Sequence, residues 1–116
     1  MTFRTLLPLA LLASASLVSD ATPVAVGRYA QVNGIRLYYE IHGQGSPLLL
    51  LHGGVGDGRQ FEKQLPAFTR AYRCIVPDSR AQGRSTDGAA PLTYHQMAED
   101  MIALLDQLRV KRVDIM

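Results

Sequence analysis

Four leucines run directly into a histidine and two glycines at Leu48-Leu49-Leu50-Leu51-His52-Gly53-Gly54. A short, continuous apolar run that ends in a turn signal reads as a strand buried on both faces, the kind found inside parallel sheets. Glycines at its carboxyl end let backbone N–H groups approach a ligand with no Cβ in the way. In open α/β sheets, ligands sit outside the carboxyl ends of the strands. One stretch therefore predicts a fold class and a place in it where negative charge could be stabilised.

The chain has 116 residues, room for one small domain, and its 47% hydrophobic and 19% charged residues are those of a globular protein. A net charge of +2, with arginines scattered and no aromatics interleaved, excludes a basic nucleic-acid-binding stripe and an anionic membrane surface as expected partners. The expected partner is a small-molecule substrate; no cofactor is expected. The lone Cys74 cannot close an internal disulfide, and its apolar neighbours mark it as an inert strand residue.

Residues 1–21 have the pattern of a secretory signal peptide. Arg4 supplies the positive n-region and Leu6 to Val18 the apolar core. Ser19-Asp20-Ala21 fits small-x-small cleavage, as does Ala13-Ser14-Ala15. The apolar run falls short of the about 20 residues a bilayer span needs, although an uncleaved anchor is an alternative. An exported protein, periplasmic or secreted, is expected, with no stable membrane association after cleavage. A linker over 22–27 then leads into one domain over 28–116.

Within that domain, Asn33-Gly34 predicts a hairpin turn between a strand at Tyr29–Val32 and its return at Ile35–Ile41. Phe61, Leu65, Phe68 and Tyr72 have helical spacing, and Pro66 splits that segment into two short helical pieces. Tyr72–Val76 reads as a strand and Asp78–Pro91 as loop. Thr93 to Gln96 reads as a capping box opening a helix. Its predicted apolar stripe is Tyr94, Met97, Ala98, Met101, Ile102, Leu105 and Leu108, with Arg109 and Lys111 near its end. Arg112–Met116 begins a further strand. The order predicts an α/β fold: an N-terminal β-hairpin, then βαβαβ units of a mostly parallel sheet.

With that order in place, His52-Gly53-Gly54-Val55-Gly56 resembles the H-G-G-x-G loop of the α/β-hydrolase fold family. Asp78-Ser79-Arg80-Ala81-Gln82-Gly83-Arg84-Ser85 resembles its D-x-R-G-x-G-x-S segment. The resemblance covers about residues 28–116 and implies an incomplete α/β-hydrolase fold. It also implies a hydrolase acting on an ester, amide or related acyl substrate. By the same resemblance, the backbone N–H of Gly54 is an oxyanion-hole donor with Val55 as its neighbour. His52 and Gly53 shape the loop, and Asp78, Arg80, Gly83 and Ser85 shape the second motif. Ala81 departs from the family's glycine, which implies either that this position does not need positive φ or that the loop is slightly altered.

The nucleophile elbow, the triad acid and the catalytic histidine are expected after Met116, and residues 1–116 alone are expected to be inert and marginally stable. A serine nucleophile is the leading expectation. An aspartate, as in the family's dehalogenases and epoxide hydrolases, is the alternative. His42 at a strand end and His95 in a helix's first turn read as solvated or capping side chains. Two readings from other classes remain. One is a non-catalytic stub or binding module. The other is a nucleotide-binding domain using the glycines of 53–58 and Asp78, although Gly54-x-Gly56-x-Gly58 is not the G-x-G-x-x-G spacing.

Overall fold

The structure is a computed structural model and describes residues 27–116. The expected leader and the linker up to residue 26 lie outside the described residues. The hairpin forms as expected: β1 (Arg28–Val32) pairs antiparallel with β2 (Ile35–His42). Asn33 and Gly34 both take positive φ, 44° and 80°, the pairing that matches the twist of a two-residue hairpin.

β3 (Ser46–Leu49) and β4 (Tyr72–Pro77) run parallel, and β5 (Asp114–Ile115) pairs parallel on the other side of β3. The five-stranded order is β1-β2-β4-β3-β5, with β2 antiparallel to β4. The sheet is therefore mixed, parallel around β3 and antiparallel at the hairpin. β5 is shorter than the expected strand over Arg112–Met116. Backbone hydrogen bonds nevertheless continue past the strand ends: Leu51 N–H donates to Met116 C=O at 2.8 Å and Met116 N–H to Leu49 C=O at 3.0 Å.

The pleat divides the leucine run between two cores. Leu48 and Leu50 join Cys74 and Val76 on one face, under Phe61, Leu65 and Phe68. Leu49 joins Ile75 on the other, with Leu37, Met101 and Leu104. Burying one such leucine contributes about 1.5–3 kcal/mol, and filling both faces requires helices on both. The first cover is the predicted pair of short pieces. A 3₁₀ turn spans Gly58–Phe61, and α1 (Leu65–Phe68) has Pro66 at its start. The other cover is α2 (Tyr94–Gln107), whose Thr93 Oγ1 accepts from Gln96 N–H at 3.0 Å.

Two details of α2 differ from expectation. Gln96 does not reach back to close a capping box; its amide donates to Asp100 at 3.2 Å. The buried face is also rotated from the predicted stripe. Asp100, Met101 and Leu104 are buried, whereas Tyr94 and Ile102 stand exposed. An aspartate on the buried face was invisible to an apolar count because its charge is neutralised from another element. The helix ends in a Schellman pattern, with Arg109 left-handed at φ 57° and Val110 N–H donating to Leu105 C=O at 2.9 Å. Among the described residues no helix is long and apolar enough to cross a membrane.

Candidate functional site

The strand order reverses at β3. The chain leaves β3 for β4 on one side and returns through α2 to β5 on the other. The carboxyl end of β3 is thus a switch point, where loops leaving in opposite directions open a crevice. The segment His52–Gly58 emerges there, facing the loop that follows β4.

His52 ties these two loops together. Its Nε2 accepts from Ser79 N–H at 2.9 Å, which places the ring proton on Nδ1, 2.8 Å from the Gly53 carbonyl. The peptide is planar and trans, so holding the Gly53 carbonyl also directs the Gly54 N–H away from it. Two carboxamides occupy the neighbouring donors. Gln60 Oε1 accepts from Gly53 N–H at 3.2 Å, and Gln82 Oε1 from Val55 N–H at 3.1 Å. Gly54 is exposed, and among the described residues its N–H has no hydrogen-bond partner. A Cβ on Gly54 would meet nothing within 4 Å.

Asp78 is fully buried at the end of β4 and organises the second loop. It accepts from Gly58 N–H at 2.8 Å and Arg84 N–H at 2.8 Å, and from the Arg84 guanidinium at 2.7 and 3.0 Å. Burial pushes its carboxyl up, but the Arg84 side chain and the two N–H donors outweigh that and hold it below the usual carboxylate range. A carboxylate so enclosed has no face for a ribose hydroxyl, which removes the basis of the nucleotide-binding alternative. Gly83 is left-handed at φ 54°, and a Cβ there would lie 2.5 Å from Asp78 Oδ2. Ser85 Oγ donates to Asp78 C=O at 2.6 Å and accepts from Tyr38 N–H at 2.8 Å, securing the loop to β2.

Arg80 turns inward. Its Nε and Nη2 hold Asp100 at 2.7 and 2.8 Å, both side chains fully buried, and Nη2 also donates to Asn33 C=O at 3.0 Å. Burial pushes Asp100 up, but Arg80, Asn33 and Gln96 bring it below its ordinary value. Both aspartates are therefore depressed, and the pH consequence has a definite sign. Above about pH 4 their stabilisation is fully present. Below it the unfolded chain takes up protons that the folded chain refuses, so stability falls. Urea midpoints at pH 7 and pH 3 should differ accordingly; equal midpoints would contradict this assignment.

Ala81 corrects the expectation that its position could do without positive φ. It adopts φ 59°, with its N–H donating to Thr86 C=O at 3.1 Å. The loop keeps the left-handed backbone that glycine would favour and bears the cost of a Cβ there. His95 is solvated, 3.9 Å from Glu99. His42 is not merely solvated or capping: it is half-buried, with Nε2 2.8 Å from Glu40, which also accepts from Tyr38 and Arg84. Cys74 is buried, and burial pushes its thiol up, away from nucleophilic use.

The side-chain roles of Gln60, Gln82, Asn33 and Asp100 were not identified from the sequence, although Asn33 was read as a turn residue and Gln82 lies inside the second motif. Only Asp100 left a signal, an acid at helical spacing between Met97, Met101 and Leu104. The glutamines gave none, because their partners lie on loops brought together by the sheet.

The family model for the alpha/beta hydrolase fold matches residues 46–116. The chain is 31% identical over 86 residues to a soluble epoxide hydrolase of Corynebacterium sp. (strain C12), covering 74% of this chain and 30% of that protein. It is 35% identical over 97 residues to a proline iminopeptidase of Xylella fastidiosa (strain 9a5c), covering 82% and 30% respectively. An esterase from Exiguobacterium antarcticum superposes with a TM-score of 0.72 at 32% identity, over 78% of this chain and 34% of the esterase. The chain thus spans about a third of the length of these relatives. Two motifs in register on a switch-point sheet, and a family match over most of the chain, lead to one conclusion: this chain belongs to the alpha/beta hydrolase fold family.

Proposed function

We propose that the protein carrying this chain is an exported hydrolase. In this reading it cleaves a small-molecule ester, amide or related acyl substrate through a serine carried after Met116, with Gly54 N–H as one oxyanion donor. The observation that carries the reading is the Gly54 N–H at the carboxyl end of β3, without a partner among the described residues and between two N–H groups already tied to glutamines. Attack on an acyl carbonyl leaves negative charge on its oxygen. A fixed donor stabilises that charge with no reorganisation during the reaction. The β3–β5 register supports a nucleophile there, because Met116 lies beside Leu51, one residue from His52. A nucleophile following Met116 would rise next to the donor loop, with its own following N–H as second donor. Residues 1–116 by themselves are then expected to be hydrolytically inert, and export rests on the leader-like pattern of residues 1–21.

The test uses the protein that carries this chain. A fluorophosphonate probe should label a single serine, and short p-nitrophenyl esters should turn over. The same culture should yield mature protein, beginning after Ala21 or Ala15, outside the cytoplasm. Absence of both labelling and ester turnover would overturn the serine reading. The kinship with an epoxide hydrolase favours one second reading, a carboxylate nucleophile that opens an epoxide. Epoxide turnover without fluorophosphonate labelling would select it.

A further inference from the structure

We propose that Gln82 is a positioning residue for the Gly54 donor, acting through the backbone of Val55; this rests on the reading of Gly54 given above. Val55 is a β-branched residue at φ 61°, a left-handed conformation that such side chains rarely adopt. Its side chain is fully exposed, so no packing holds it there. Its N–H makes one hydrogen bond among the described residues, to Gln82 Oε1 at 3.1 Å, from 27 positions away in sequence.

Gln82 is itself held on both sides. Its N–H donates to Ser79 C=O at 3.0 Å and its carbonyl accepts from Ser85 N–H at 3.1 Å. Ala81 and Gly83 flank it, left-handed at φ 59° and 54°. The second loop therefore presents the Gln82 carboxamide to the first loop from a fixed backbone. Gly54 lies between two peptide planes. His52 holds the preceding plane at the Gly53 carbonyl, and Gln82 holds the following plane at the Val55 N–H. Glycines resist rotation less than any other residue. With the Gln82 bond removed, Val55 relaxes toward negative φ and the Gly54–Val55 plane turns. The Gly53–Gly54 plane, which carries the Gly54 N–H, is then held only from its amino side by His52 and Gln60, and the direction of that N–H spreads. The loop after β4 would thus act on chemistry at the loop after β3 without touching the substrate.

Two variants and two readouts test this in the protein that carries the chain. Gln82→Leu keeps the bulk and removes the acceptor; Gln82→Glu keeps an acceptor oxygen. For Gln82→Leu, kcat on a p-nitrophenyl ester should fall between about ten- and a hundredfold with KM little changed, the size expected for a misplaced catalytic group. Gln82→Glu should recover most of that loss. Independently of activity, the backbone coupling of Val55 measured by NMR should leave the left-handed value in Gln82→Leu and keep it in Gln82→Glu. An unchanged Val55 coupling in Gln82→Leu overturns the proposal, as does a changed coupling with unaltered kcat. If the wild-type protein turns over no acyl substrate, the functional reading fails, while the Val55 coupling still decides whether Gln82 holds the loop.

Discussion

Replacing Asp100 by alanine should destabilise the protein by about 3–5 kcal/mol, read as a loss in the urea-unfolding midpoint. Asp100 and Arg80 are both fully buried, joined by two hydrogen bonds of 2.7 and 2.8 Å. Asp100 also accepts from Asn33 at 3.0 Å and from Gln96 at 3.2 Å. The alanine variant leaves a guanidinium in the core with its charge uncompensated. Among the described residues Arg80 Nη1 already lacks a partner, Nε would lose its own, and Nη2 would keep only the Asn33 carbonyl. A loss of this size is a large part of a typical domain's stability, so the single variant could fail to accumulate. The double variant Arg80→Met/Asp100→Leu keeps the expectation testable. Removing both charges together should recover much of the loss, because the penalty belongs to the unpaired ion rather than to the missing bridge. A midpoint within about 1 kcal/mol of wild type for Asp100→Ala, or a double variant no better than the single one, would show that the pair does not hold the loop to α2 and the hairpin.

Gly54→Pro should lower kcat by about a hundred- to a thousandfold on an acyl substrate with KM little changed, the cost of losing one oxyanion donor. Proline deletes the N–H itself. Gly54→Ala keeps it, and the added Cβ enters open space, so that variant should remain within a fewfold of wild type. The pair separates the donor from the shape of the loop. If both variants lose activity equally, steric room at position 54 matters rather than its N–H. If neither does, the charge is stabilised elsewhere.

The N–H of Val55, the neighbour named from the family resemblance, donates to Gln82 Oε1 at 3.1 Å. The two motifs work as one unit. His52 joins them through Ser79, Gln82 joins them through Val55, and Asp78 joins the second to the 3₁₀ turn through Gly58. Substitutions in Asp78–Ser85 are therefore expected to reach the Gly53–Val55 loop even where their own side chains are distant from it.

Much of this was legible along the chain. The leucine run, the Asn33-Gly34 turn and the Thr93 cap are local patterns, because burial on two faces, positive φ and an orphan helix N–H each select a few residue types at fixed spacing. The motifs at His52 and Asp78 named the fold family for the same reason. The rotation of α2 was not legible, since the Asp100 charge becomes tolerable only when Arg80, 20 residues earlier, arrives beside it. Ala81 is similar: its left-handed backbone comes with a hydrogen bond to Thr86, which is not a property of alanine. Sequence alone determined the element types and where glycine-rich backbone meets the end of a buried strand, since both depend on periodicity and local conformational preference. Only the tertiary structure decided which N–H of the loop stays without a partner among the described residues. That choice depends on two glutamines and a histidine reaching across loops, and hydrogen bonds between distant segments leave no period in the chain.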